Sequence, residues 1–176
     1  TPTLAKMLKK AGYQTAMVGK WGLGMNGTTG SPLLQGFDYY YGYLDQKQAH
    51  NYYPTHLWEN DEVAPLDNDY FLVHNQIKEG SDQAAFDQFK GNDFAPDRMI
   101  EKALHFLDTT AVENPFFLYY PSPIPHVSLQ VPDSLVLQYQ GQFEEQPYYG
   151  NQGYTAHQYP LSAYAAMITH WDRAVG

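Results

Sequence analysis

The stretch that most constrains this chain is Gly12 to Gly24, which reads Gly-Tyr-Gln-Thr-Ala-Met-Val-Gly-Lys-Trp-Gly-Leu-Gly. Just upstream, Thr1-Pro2-Thr3 supplies a capping hydroxyl and a proline for the first helical position. Leu4, Met7, Leu8 and Ala11 then recur at helical spacing, which predicts a helix with one apolar face. Gly12 stands where a helix ends in the left-handed conformation. Thr15 to Val18 is apolar and bounded by turn signals, as expected of a parallel strand covered on both faces. Lys20 then sits at the carboxyl end of that strand, the rim where open α/β sheets hold ligands. Spacing alone leaves two readings of Lys20, a solvated lysine or a functional one.

The same plan recurs further along. Pro96 and Asp97 open a helix whose Met99, Ile100, Ala103, Leu104 and Leu107 form a core stripe. Pro115 to Tyr120 reads as a buried strand. Beyond it, the prolines at 121, 123, 125 and 132 discourage helix and stiffen a loop that presents His126. If both strands are parallel members of one sheet, Lys20 and His126 leave it on the same rim. By itself the histidine is as readily structural as catalytic.

Residues 25–68 are weakly periodic and rich in Gly, Tyr, Asn and Pro, which predicts a long functional loop. Phe37, Tyr39, Tyr40, Tyr41, Tyr43, Tyr52, Tyr53 and Trp58 argue against disorder there. His50 lies in this stretch and reads by itself as a structural histidine bonded to backbone. Tyr70 to Val73 reads as a short strand or a helix start, and residues 78–93 as solvated surface. Residues 133–160 read as an elaborated loop. Its adjacent Glu144 and Glu145 point apart, which disfavours a paired-carboxylate glycosidase. His157 is a loop or substrate residue. Leu161 to Gly176 is predicted helical, burying Leu161, Tyr164, Ile168, Trp171 and Val175. Asp172 and Arg173 read as a helix-end pair and His170 as surface.

At 176 residues the chain is long enough for one domain with its own core. A formal charge of −9, with no Lys or Arg between 103 and 172, excludes nonspecific nucleic-acid binding. With no Cys, disulfides and thiolate metal sites are excluded. No apolar run is long enough to span a bilayer, and the opening residues do not read as a signal sequence. The chain opens inside a helix without an initiator Met, so an internal piece of a larger protein is expected.

Gly12 to Gly24 resembles the second signature of the sulfatases, the formylglycine-dependent sulfate-ester hydrolases. Gly22 stands where most members have histidine, and Gly19-Lys20-Trp21-Gly22-Leu23-Gly24 is similar to one branch of the family. Gln35 to Tyr43 and Gln48 to Pro54 resemble the same branch. So do Phe116 to Tyr119 with Pro125-His126 and Leu129-Gln130-Val131-Pro132, and the helix from Tyr164 to Gly176.

The resemblance implies a fragment of an alkaline-phosphatase-like α/β sandwich, with a mostly parallel or mixed central sheet flanked by helices. Residues 1–176 would be a single segment of the catalytic domain, without its nucleophile and metal part or its C-terminal part. It further implies a formylglycine nucleophile and a divalent cation, usually calcium. Lys20 would stabilise the sulfate, and His126 would bond the ester oxygen and help protonate the leaving group. His50 would bind substrate, partly replacing the histidine missing at Gly22. No Asp here matches a metal motif, so no metal ligand is assigned. The chain alone is expected to be inactive, and unpaired sheet edges should favour self-association. The implied partner is a sulfated small molecule or glycan, and the implied compartment is the periplasm or the exterior. Two other classes explain part of the pattern, a phosphate mono- or diester hydrolase of the same superfold and a noncatalytic aromatic-rich carbohydrate-binding module.

Overall fold

The computed structural model describes residues 2–110 and 114–176. In chain order the elements are α1 (Leu4–Lys10), β1 (Gln14–Lys20), β2 (Tyr39–Tyr43), β3 (His56–Glu59), β4 (Glu62–Pro65) and α2 (Gln83–Asp87). They continue with α3 (Ala95–Thr110), β5 (Phe116–Tyr119), α4 (Asp133–Val136) and α5 (Pro160–Val175). Two compact units result. The first runs up to Ala49 and adds His56–Leu66 and Ala95–Pro123; the second comprises His50–Thr55, Asp67–Phe94 and Ile124–Gly176.

The first unit is a mixed five-stranded sheet in the order β4-β3-β2-β1-β5. The α/β architecture is as the sequence implies. Helix α1 is capped by Thr3, whose Oγ1 accepts the Lys6 N–H at 3.2 Å, so Pro2 precedes the cap rather than opening the helix. The helix ends in a Schellman motif: Gly12 N donates to Lys9 O and Tyr13 N to Leu8 O, both at 3.1 Å. The predicted apolar face is not the buried one. Leu4 is 55% and Met7 50% exposed, while Ala5 is buried. Thr3 Oγ1 donates to Gln35 O at 2.5 Å and Lys6 Nζ to Gln35 Oε1 at 3.4 Å, so polar contacts select the docked face.

Strand β1 is buried from Thr15 to Gly19 and pairs in parallel with both β2 and β5. Its Thr15 is satisfied inside the core: the hydroxyl donates to Gly36 O at 2.7 Å and the amide to Asp38 Oδ2 at 3.0 Å. The predicted long loop of residues 25–68 contains three of the five strands. Strand β2 is covered on both faces, so it has no alternation to betray it. Strands β3 and β4 form a hairpin turning at Asn60 and Asp61, with Asn60 in the left-handed region at φ 54°. Strand β5 is an edge rather than a buried strand, because among the described residues only β1 pairs with it. On α3 the buried residues include Ala95, Met99, Ala103 and Phe106, and the predicted core residue Leu104 is exposed.

The second unit has its own core of Tyr52, Phe94, Leu129, Val131, Val136, Ala163, Ala166 and Met167. A smaller cluster joins Ile77, Phe86, Phe89 and Ala156, so residues 78–93 carry buried aromatics where a solvated surface was expected. Residues 70–73 form neither strand nor helix. Helix α5 buries a different face from the predicted one: Leu161, Tyr164, Ile168 and Val175 are exposed, while Trp171 packs against the core as expected. Ser162, Ala163 and Ala166 are buried instead, and their small side chains permit close packing. Arg173 donates to Gln138 Oε1 at 3.2 Å, and His170 packs edge-on to Phe94 with centroids 5.3 Å apart.

Candidate active site

In the first unit, Lys20 closes β1, paired with Tyr43 of β2. The residue before it must be glycine for two reasons. Gly19 has φ +137°, and a Cβ there would lie 2.3 Å from Pro121 O. That close approach lets Lys20 N donate to Pro121 O at 2.9 Å, so the loop after β5 leaves the sheet beside Lys20's backbone. On the other side Trp21 N donates to Tyr43 O at 2.9 Å, and Trp21 Nε1 donates to Gly30 O at 2.8 Å. The backbone of Lys20 is therefore held from both neighbouring strands.

The lysines of the sheet unit differ in their pairing. Lys9 pairs with Asp38 at 2.5 Å and Lys102 with Glu59 at 2.7 Å. Lys20 is half-buried and has no ion-pair or hydrogen-bond partner among the described residues. A cation with no carboxylate beside it is suited to an anionic ligand.

At Gly22 a side chain is kept out. Its φ is +70°, and a Cβ would lie 2.3 Å from Gln46 Nε2 and 2.8 Å from Gln46 Cγ. The place a side chain would take at position 22 is filled by the Gln46 side chain.

In the second unit, His50 and His126 come together. Their rings stack with centroids 4.7 Å apart and 14° between planes. His74 stands edge-on to His50, centroids 5.3 Å apart at 90°. Tyr154 faces all three, at 6.0 Å from His50, 6.1 Å from His74 and 5.7 Å from His126. His50 Nδ1 lies 3.3 Å from His74 Nε2, and His74 Nδ1 hydrogen-bonds the Gly153 carbonyl.

The loops that carry the two stacked histidines are locked by buried polar groups. Tyr52 Oη donates to His126 O at 3.0 Å, and Ser128 Oγ donates to His50 O. The buried Gln130 accepts from Tyr52 N at 2.8 Å and donates to Phe89 O at 2.7 Å. Breaking such a fully buried pair leaves groups unsatisfied at a cost of about 1–3 kcal/mol each. The Ile124–Pro125 peptide in this loop is cis.

His74, Tyr154 and Gln130 were not singled out from the sequence. His74 and Tyr154 sit in segments without periodic signal, and no local spacing links them to His50. Gln130 had a faint signal, as part of the Leu129-Gln130-Val131-Pro132 tail.

His157 is not part of this cluster. It lines a separate cavity of about 430 Å³ in the second unit, together with Lys90, Asp87, Asp133 and Thr155. Lys90 is held there by Asp87 and Asp133, each at 2.7 Å, which balances its charge. Burial, with the nearby Lys90 charge, pushes the His157 imidazole down to about 4. Its Nδ1 accepts the Tyr159 N–H at 2.9 Å.

Glu145 has a structural task. Its carboxylate accepts from Leu161 N at 2.7 Å, Ser162 N at 3.2 Å and Ser162 Oγ at 2.5 Å, capping the first turn of α5. Among the described residues no group of three or more His, Cys, Asp or Glu side chains is arranged to hold a metal ion.

Comparison with known proteins agrees with the motifs. The family description "Sulfatase" matches residues 1–176. Arylsulfatase G of Mus musculus is 26% identical over 196 aligned positions, covering 99% of this chain and 31% of the relative. The N-acetylglucosamine-6-O-sulfatase of Bacteroides thetaiotaomicron is 29% identical over 124, covering 70% of this chain and 16% of the relative. Among solved structures, Ps i-CgsB in complex with k-i-k-neocarrahexaose matches with a TM-score of 0.66 at 24% identity, covering 98% of this chain and 34% of that one. BT4656 in complex with its substrate D-glucosamine-2-N,6-O-disulfate matches with a TM-score of 0.54 at 23% identity, covering 82% of this chain and 23% of that one. These two structures share the alkaline-phosphatase-like α/β fold with this chain. The chain spans a third or less of the curated relatives it matches. With the family description covering every residue, this chain belongs to the sulfatase family.

Proposed function

We propose that residues 1–176 are part of the catalytic domain of a sulfuric ester hydrolase, and that they supply its electrostatic and proton-transfer groups. The observation that carries this reading is Lys20, whose backbone is held at a strand end and whose ammonium has no carboxylate partner among the described residues. In this role it neutralises the non-bridging sulfate oxygens, which gain charge as the ester bond breaks. His126 sits beside the leaving oxygen and donates a proton to the departing alkoxide. His50, stacked on His126, contacts the substrate. In this reading the formylglycine and the divalent cation come from other segments of the full-length protein; this chain has no Cys, and among the described residues no group of three or more His, Cys, Asp or Glu is arranged to hold a metal ion.

Two relatives support a sulfated sugar as the substrate class: one is named for removing a 6-O-sulfate from N-acetylglucosamine, and the other is bound to a disulfated glucosamine. A periplasmic or extracellular location fits such a substrate. No described helix is long and apolar enough to cross a membrane.

The test is turnover by the full-length protein of a 6-O-sulfated N-acetylglucosamine, an aryl sulfate and the matching aryl phosphate. Sulfate esters should be preferred, and Lys20→Met and His126→Ala should each lower kcat about 100-fold or more. Residues 1–176 alone should turn over none of them. Preference for the phosphate would replace this reading with a phosphoesterase of the same superfold.

A further inference from the structure

The directions of two hydrogen bonds settle something about His50 that its position alone does not. A carbonyl oxygen can only accept, so the bond between His74 Nδ1 and Gly153 O requires a proton on His74 Nδ1. In neutral His74 the proton on Nδ1 leaves Nε2 with a lone pair. That lone pair lies 3.3 Å from His50 Nδ1, so with His74 neutral His50 Nδ1 is the donor. The order of the chain of bonds is thus His50 Nδ1–H to His74 Nε2, then His74 Nδ1–H to Gly153 O.

We propose that His74 is a positioning residue that holds His50 in its Nδ1–H tautomer and so directs any second proton of His50 to Nε2. The inference rests on the sulfatase reading for its functional meaning. In the neutral ring, Nε2 accepts a hydrogen bond, as from a sugar hydroxyl. It can donate to a sulfate oxygen only after taking up a proton, and the bond to His74 persists in both states. The backbone beneath is fixed as well, because Ser128 Oγ donates to His50 O. The His126 ring stacked at 4.7 Å limits rotation of the imidazole.

The test uses the full-length enzyme labelled with ¹⁵N at histidine, with His50→Gln assigning the His50 signals. Long-range ¹H–¹⁵N spectra should show His50 protonated at Nδ1. His74→Phe keeps a ring of similar size but removes the acceptor. It should release His50 toward the Nε2–H tautomer and raise KM for the sulfate ester ~5- to 10-fold, the scale of one lost hydrogen bond, with kcat changing less. His74→Gln should restore both readouts, since its amide can donate to Gly153 O while its oxygen accepts from His50. An Nε2–H tautomer in the unsubstituted enzyme overturns the proposal, as does a tautomer or KM that His74→Phe leaves unchanged. Absence of any sulfate-ester turnover, with the tautomer as expected, defeats the functional reading and not the hydrogen-bond assignment.

Discussion

The Gln46 side chain occupies the space that a Cβ at Gly22 would enter, with its Nε2 2.3 Å from that position. The glycine in Gly19-Lys20-Trp21-Gly22 is therefore matched to a residue on another loop of the same unit. Gly22→His must displace Gln46 and also hold a non-glycine residue at φ +70°. A loss of about 2 kcal/mol in chemical denaturation is expected. Gln46→Ala in the same background should recover about 1 kcal/mol, the steric share, with the backbone share remaining. Strict additivity of the two substitutions would show that the side chains do not meet.

The buried imidazole of His157 ties stability to pH. Its folded value of about 4 lies below the ordinary imidazole value of about 6.5, so the folded chain holds it neutral. Between these values the unfolded chain binds a proton that the folded chain does not. Its contribution is thus complete above about pH 6.5 and is lost as pH falls toward 4, by about 1–3 kcal/mol. Asp133 and Glu145 oppose the shift, and Lys90 reinforces it. His157→Gln can still accept the Tyr159 N–H but does not titrate. Thermal melts between pH 7 and 4.5 should show a shallower acid slope in that variant, and an unchanged slope would assign the acid sensitivity to other groups.

Glu145 caps α5 from outside the helix, since Tyr159 at the N-cap position makes no side-chain cap bond. Glu145→Ala leaves the first-turn amides of Leu161 and Ser162 without this acceptor. A loss of about 1–2 kcal/mol follows, and Glu145→Gln should lose less because an amide oxygen still accepts. Equal losses in the two variants would mean that charge, rather than the hydrogen bonds, carries the effect.

Much of the first unit was legible in the sequence because its signals are local. Thr3, Gly12, the apolar run through Val18 and Gly19 each act on their own or adjacent backbone, and β1 and Lys20 stand where they place them. Strand β2 was missed because a strand buried on both faces carries no alternation, and the Tyr-rich loop around it obscured its ends. The buried faces of α1 and α5 do not follow their large apolar residues: Ala5, Ala163 and Ala166 allow close approach, while Leu4, Leu161 and Ile168 stay exposed. His50 and His126 were both named from the sequence, but their stacking was not.

The sequence by itself determined the sulfatase family, the parallel strand that ends in Lys20 and the proline-stiffened loop that presents His126. Tertiary structure alone decided which groups surround these side chains. His50 meets His74 across 24 residues, and His74 meets Gly153 across 79. Hydrogen bonds over such separations are set by how loops pack on a core, and local spacing along the chain carries no trace of them.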